Sequence, residues 1–180
     1  MKDIPASPGT VPIPVVGRST LADYISLTKP RLNLLVVVTS AAGYYLGAAG
    51  PSDLRQMLPT VVGTALVAGG AAVLNQVYER DTDALMVRTR MRALPDGRVP
   101  HTEASIFGVG LSAVGLGMLV VWANVVATLL AVATLVVYLA VYTPMKRRTS
   151  AATFVGAIPG ALPPLIGWAA SHGGMSAGGL

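Results

Sequence analysis

Long uncharged, mostly apolar stretches alternate with short charged clusters along this chain. No charged residue falls within 32–52, 56–78, 104–145 or 149–180. A helix that crosses hydrocarbon needs ~20 predominantly apolar residues. The first two stretches therefore predict one span each. The third is long enough for two spans folded back at Asn124, and the last predicts a fifth over 152–170. Pro159, Pro163 and Pro164 lie inside that fifth span and predict kinks. The predicted fold class is all-α: a polytopic transmembrane helical bundle of about five spans, filling residues 21–180. Residues 1–20 are rich in Pro and polar residues and predict a flexible extramembrane tail. A cleavable signal peptide is not expected, because the first apolar run begins only at Leu32.

Composition agrees with a lipid solvent. The chain is 53% hydrophobic and 12% charged, with a mean hydropathy of +0.62. That leaves too few polar side chains to cover a soluble domain. The absence of Cys excludes a disulfide framework and a thiolate-held zinc or iron–sulfur centre. The net charge of +5 would admit nucleic acid, but its distribution argues against that partner. With the N-terminus cytoplasmic, twelve of the thirteen Lys and Arg residues fall in inside segments, and only Arg55 falls outside. This is the positive-inside pattern of short loops. It predicts a multi-pass protein with a cytoplasmic N-terminus, a lipid bilayer as its surroundings and no nucleic-acid partner; the expected location is a bacterial inner membrane. Small residues at helix-packing spacing, such as Gly43 with Gly47 and Gly156 with Gly160, are read as contacts between spans.

One cluster carries chemistry. Asn75, Glu79 and Asp83 follow the second apolar run at spacings of four. On an α-helix they form one stripe of oxygen ligands near the membrane surface, with Asp81 off the stripe. Carboxylates beside hydrocarbon require a counter-charge. Arginines such as Arg80 or Arg88 could supply it, as could a hard divalent cation. Mg²⁺ takes one or two protein carboxylates and completes its shell with water and phosphate oxygens. Arg88, Arg90, Arg92 and Arg98 follow the stripe, and Lys146, Arg147 and Arg148 lie at the same membrane face. Carboxylates for a metal beside surplus cations suit a diphosphate ester, whose leaving group gains negative charge. Some of these basic residues also serve as positive-inside anchors. An isoprenyl tail would lie comfortably in hydrocarbon.

These residues also resemble a known family. The string LNQVYERDTDALMVRTRMRALPDGRV over 74–99 resembles the first aspartate-rich motif of the UbiA superfamily of intramembrane prenyltransferases. YISLTKPR over 24–31, YTPMKRRT over 142–149 and GAIPGALPP over 156–164 are similar to further segments of that family. Within the family, the first string is most similar to members that modify haem. The resemblance implies transfer of a farnesyl group from farnesyl diphosphate to a vinyl group of haem B, with Mg²⁺ as cofactor. Carried onto this sequence, it places Asn75, Glu79 and Asp83 on the metal. Arg88, Lys146 and Arg147 would hold the diphosphate, and Tyr142 would line the pocket near the allylic carbon. His101 and His172 lie in a polar loop and near the end of the chain, and neither is expected to bind haem.

Glu79 stands where the family most often has Asp, and a carboxylate is retained. The family also carries about nine spans and a second acidic motif after the sixth. No acidic residue follows Glu103 here. The chain is therefore expected to be the N-terminal part of such a membrane domain and inactive in transfer when alone. Two other readings compete: an aromatic prenyltransferase of a quinone pathway, which would share the metal half-site, and a non-catalytic membrane scaffold. A transporter half is disfavoured, since the ionisable residues gather at one face rather than at mid-membrane.

Overall fold

A computed structural model describes residues 20–51 and 53–179 of the chain. The expected flexible tail lies outside the described residues, apart from Thr20. Every regular element among the described residues is helical. In chain order they are α1 (Leu21–Leu27), α2 (Pro30–Gly47), α3 (Leu54–Leu85), α4 (His101–Trp122), α5 (Val125–Val136), a π-helical segment (Val137–Tyr142), α6 (Thr143–Met145) and α7 (Ala152–His172), with a last 3₁₀ turn at Ala177–Gly179.

The five expected spans correspond to α2, α3, α4, the continuous rod Val125–Met145 and α7. Four of these are long and apolar enough to cross a membrane, and the protein is an integral membrane protein. The exception is α2. It has 18 residues and opens on Pro30, Arg31 and Asn33, which lower its apolar content. α3 is the longest helix, at 32 residues. At 1.5 Å per residue it is about 48 Å long and outruns a ~30 Å hydrocarbon core. The acidic stripe therefore sits on a helical extension rather than in a loop.

Local signals set the boundaries. Thr20 and Asp23 form a capping box at the start of α1, and Asp53 caps α3 through the Arg55 N–H. Asn124 is the hairpin tip, as its place in the uncharged run predicts. Its Oδ1 accepts from the Ala127 N–H at 2.9 Å, and its Nδ2 donates to the Ala169 carbonyl at 2.6 Å. One side chain thus caps α5 and ties the tip to α7. α7 runs unbroken through Pro159, Pro163 and Pro164.

α3 packs along α4, and α2 packs along α7, with α5 against α7. The second pair is close because neither helix carries a Cβ at the crossing. A methyl at Gly43 would overlap the Pro164 carbonyl, and one at Gly167 would overlap the Ser40 carbonyl. Gly47 and Gly156 likewise have a neighbour where a Cβ would go, so the packing reading holds for them. It does not hold for Gly160, where a Cβ would meet nothing within 4 Å, because this glycine borders a cavity.

Candidate active site

The stripe forms as its spacing dictates. Asn75, Glu79 and Asp83 are 1%, 8% and 6% exposed, while Arg80 and Asp81 point outward. Each buried group has a specific partner. Asn75 Nδ2 donates to Thr143 Oγ1 at 3.1 Å, and its Oδ1 accepts from the Tyr138 hydroxyl at 3.2 Å. Glu79 Oε1 lies 2.6 Å from Lys146 Nζ. Asp83 Oδ2 lies 2.7 Å from Arg92 Nη1. The Thr89 hydroxyl donates to the Asp83 carbonyl at 2.8 Å and anchors the start of the 86–100 segment.

The partners come from two elements. Tyr138 lies within the π-helical segment, and Thr143 and Lys146 follow it; the Thr143 N–H and hydroxyl both turn back to the Tyr138 carbonyl. From this part of the rod Tyr138 and Lys146 reach Asn75 and Glu79 on α3, and such π segments often occur at functional sites. Tyr138 and Tyr142 stack at 5.5 Å, and Lys146 Nζ lies 5.6 Å from the centre of the Tyr142 ring. Arg92 comes from the 86–100 segment. That segment is held down by Ala93, Leu94 and Val99, which are buried with Leu27, Val73 and Ala104. Arg98 pins it further by bridging Asp23 and Asp96.

Among the residues expected to hold a diphosphate, Lys146 meets the stripe through Glu79. Arg88 and Arg147 are exposed and form no ion pair among the described residues. Two cations at the site were not singled out in the sequence. One is Arg92. The other is Lys29, in the break between α1 and α2, which senses the charges of Arg92, Lys146, Glu79 and Asp83. Burial pushes its ammonium below the ordinary lysine value, the two cations add to that, and the carboxylates oppose it. No periodicity points to Lys29, because a turn and not a helix face aims it.

Beside this polar cluster lies an apolar cavity of about 430 Å³. Its walls come from α2, α3, α5 and α7, and include Leu32, Ala68, Ala71, Tyr138, Gly160 and Ile166. Ala68, Ala71 and Ala72 precede Asn75 on α3 at helical spacings of seven, four and three, so the wall and the stripe share one face of one helix. Lys29 and Tyr138 stand where the two meet. A second, more polar cavity of about 520 Å³ lies on the other side of Tyr138 and Gly156, lined by Tyr142, Lys146 and Thr153.

Among the described residues, no three His, Cys, Asp or Glu side chains converge as a metal cluster. Two carboxylates and an amide oxygen are nevertheless a hard-oxygen donor set, of the kind Mg²⁺ uses when phosphate supplies the remaining ligands. The residues present fit such an ion as half of a site.

Comparison with known proteins identifies the family and the fold. Residues 36–180 match the UbiA prenyltransferase family. A protohaem IX farnesyltransferase of Anaeromyxobacter dehalogenans is 48% identical over 89% of this chain and 54% of its own length. One from Myxococcus xanthus is 48% identical over 88% of this chain and 54% of its own. One from Solibacter usitatus is 46% identical over 56% of its own length. The chain thus spans about half the length of the curated relatives it matches. Among solved structures, a UbiA homologue from Archaeoglobus fulgidus bound to GPP and Mg²⁺ superposes with a TM-score of 0.71 at 19% identity, over 83% of this chain and 54% of that one. A digeranylgeranylglyceryl phosphate synthase superposes with a TM-score of 0.75 at 20% identity, over 82% and 52%. With its fold, its buried stripe and a family match over most of its length, this chain belongs to the UbiA prenyltransferase family.

Proposed function

We propose that this chain forms the prenyl-diphosphate half of an intramembrane enzyme that transfers a farnesyl group from farnesyl diphosphate to a vinyl group of haem B, giving haem O. The observation that carries this reading is the continuity of one face of α3. Its first part walls an apolar cavity, and its last turns carry Asn75, Glu79 and Asp83 among cations. A farnesyl diphosphate has the same division, with an apolar tail and an anionic head. The named relatives supply the farnesyl donor and the haem acceptor.

In this reading the tail lies between α2, α3, α5 and α7. The head reaches Lys146 and Arg92, and it competes with Glu79 and Asp83 for their charge. Asn75, Glu79 and Asp83 would hold Mg²⁺, which when bound would neutralise phosphate oxygens. Breaking the bond between the allylic carbon and the diphosphate oxygen leaves an allylic cation and free diphosphate. Lys146 and Arg92 favour that step, because they bind the leaving group more strongly as its charge grows. The stacked rings of Tyr138 and Tyr142 offer π-faces to the cation, with Tyr142 toward the second cavity. The vinyl carbon of the acceptor then bonds to the allylic carbon. Water adds to the resulting cation as hydroxyl and releases a proton. The distribution of Lys and Arg supports an N-terminus in the cytoplasm, and the bacterial sources of the relatives support a bacterial inner membrane.

The test is a chimera in which this chain replaces the matching half of the Myxococcus xanthus relative. Membranes containing it are supplied with farnesyl diphosphate, Mg²⁺ and either haem B or 4-hydroxybenzoate. Haem O formation that disappears with Glu79→Gln is the expected result. A folded chimera that prenylates only the phenol would move the chain to the quinone-pathway reading.

A further inference from the structure

Lys29 has the only positive φ among the described non-glycine residues, with φ 50° and ψ 63°. An L-residue is disfavoured there, because its Cβ crowds the following carbonyl. The backbone hydrogen bonds at this position do not call for lysine. Its N–H donates to the Ser26 carbonyl at 3.1 Å, and its own carbonyl accepts from the Leu32 and Asn33 N–H groups at 3.0 Å. Glycine would make all three with less strain. A lysine here is accounted for by what its side chain does.

That side chain lines the apolar cavity next to Thr28, Leu32 and Asn33. Its ammonium lies within Coulombic range of two carboxylates, Glu79 and Asp83, and of two other cations, Arg92 and Lys146. Both carboxylates are engaged, Glu79 by Lys146 and Asp83 by Arg92. Lys29 forms no ion pair among the described residues. Three cations therefore meet two carboxylates where hydrocarbon begins. Holding an uncompensated ammonium partly out of water is costly, and an anion arriving at that point removes the cost. The two carboxylates nearby are already paired with Lys146 and Arg92.

We propose that Lys29 is a diphosphate-binding residue: its ammonium holds phosphate oxygens of the prenyl diphosphate from the α1–α2 side, while its alkyl stem covers the first isoprene unit at the cavity mouth. This rests on the prenyl-diphosphate reading of the cavity. α3 and the π-helical segment then grip the head on one side, and Lys29 closes the other. The left-handed turn is what aims the lysine across the mouth.

The backbone strain gives a test that separates binding from structure. The whole chain in detergent is titrated with farnesyl thiodiphosphate, an unreactive analogue, in the presence of Mg²⁺, and separately with farnesol. Lys29→Gly relieves the strain and removes the cation. It is expected to raise the Tm or leave it unchanged while weakening thiodiphosphate binding at least about tenfold, the scale of one charge-assisted hydrogen bond. Farnesol binding should change less than about twofold. Lys29→Arg should recover most of the thiodiphosphate affinity, and it keeps the test valid if the glycine variant folds poorly. Thiodiphosphate binding by Lys29→Gly within twofold of wild type, or equal losses for thiodiphosphate and farnesol, would overturn the assignment. Wild-type protein that binds no thiodiphosphate would instead overturn the prenyl-diphosphate reading itself.

Discussion

Lys146 Nζ sits 2.6 Å from Glu79 Oε1, joining α3 to the end of the rod that contains the π-helical segment. The pair is partly buried and neutralises a carboxylate that would otherwise face hydrocarbon. It also stores a cation where a phosphate head would arrive. Removing the lysine has two consequences of opposite sign for two ligands. Lys146→Met is expected to weaken farnesyl thiodiphosphate binding at least about tenfold. It should at the same time strengthen binding of Mn²⁺ alone, a spectroscopically visible stand-in for Mg²⁺, because Glu79 loses its competing ammonium. Isothermal titration for the first and electron paramagnetic resonance for the second read the two effects. Losses in both would mean that Lys146 only holds the fold.

Asp83 and Arg92 form the second pair, at 2.7 Å. Asp83→Ala in the chimera is expected to lower haem O formation at least ~100-fold, the scale seen when one preorganised electrostatic stabiliser is lost. Turnover close to wild type at saturating Mg²⁺ would remove Asp83 from the site.

The cavity predicts a dependence on tail length. Ala68 lines it from α3 and is half-buried. Ala68→Phe fills the space beyond the first part of the tail. Affinity for farnesyl thiodiphosphate should fall several-fold more than affinity for a dimethylallyl analogue, whose short tail does not reach so far. Equal losses for both would place the tail elsewhere.

The α2–α7 crossing predicts where the fold is least tolerant. Gly167→Val drives a side chain into the Ser40 carbonyl, and backbone cannot give way cheaply. A loss of about 1–3 kcal/mol or more is expected, as for overpacked cores. Thermal unfolding in detergent measures it, with Gly110→Ala as a control, since a Cβ at Gly110 meets nothing within 4 Å.

Helical period made some of this site readable in the sequence and left the rest hidden. Asn75, Glu79 and Asp83 share a face because four residues make about one turn, and no tertiary information is needed to see it. Asn124 was readable as a hairpin tip from the length of an uncharged run. Arg88 and Arg92 are a different case. Both lie in a non-helical segment, and the burial of Ala93 and Leu94 decides which arginine folds back onto Asp83. Nothing in the sequence pattern sets Lys29 apart from the other basic residues, because the left-handed turn that aims it has no Gly or Asn to announce it. Gly160 looked like Gly43 in sequence, yet one borders a cavity and the other meets a helix. Spacing reports which residues share a face, but not what that face meets.

The most direct test of the central claim is calorimetric titration of the protein with farnesyl thiodiphosphate, with and without Mg²⁺. It is repeated on the double variant Glu79→Gln, Asp83→Asn. Saturable binding to wild type that Mg²⁺ strengthens at least tenfold, and loss of that strengthening in the double variant, is the predicted result. Binding that is equally strong with and without Mg²⁺, or a double variant that retains the full Mg²⁺ effect, would contradict the assignment of the α3 stripe as the place where metal and diphosphate meet.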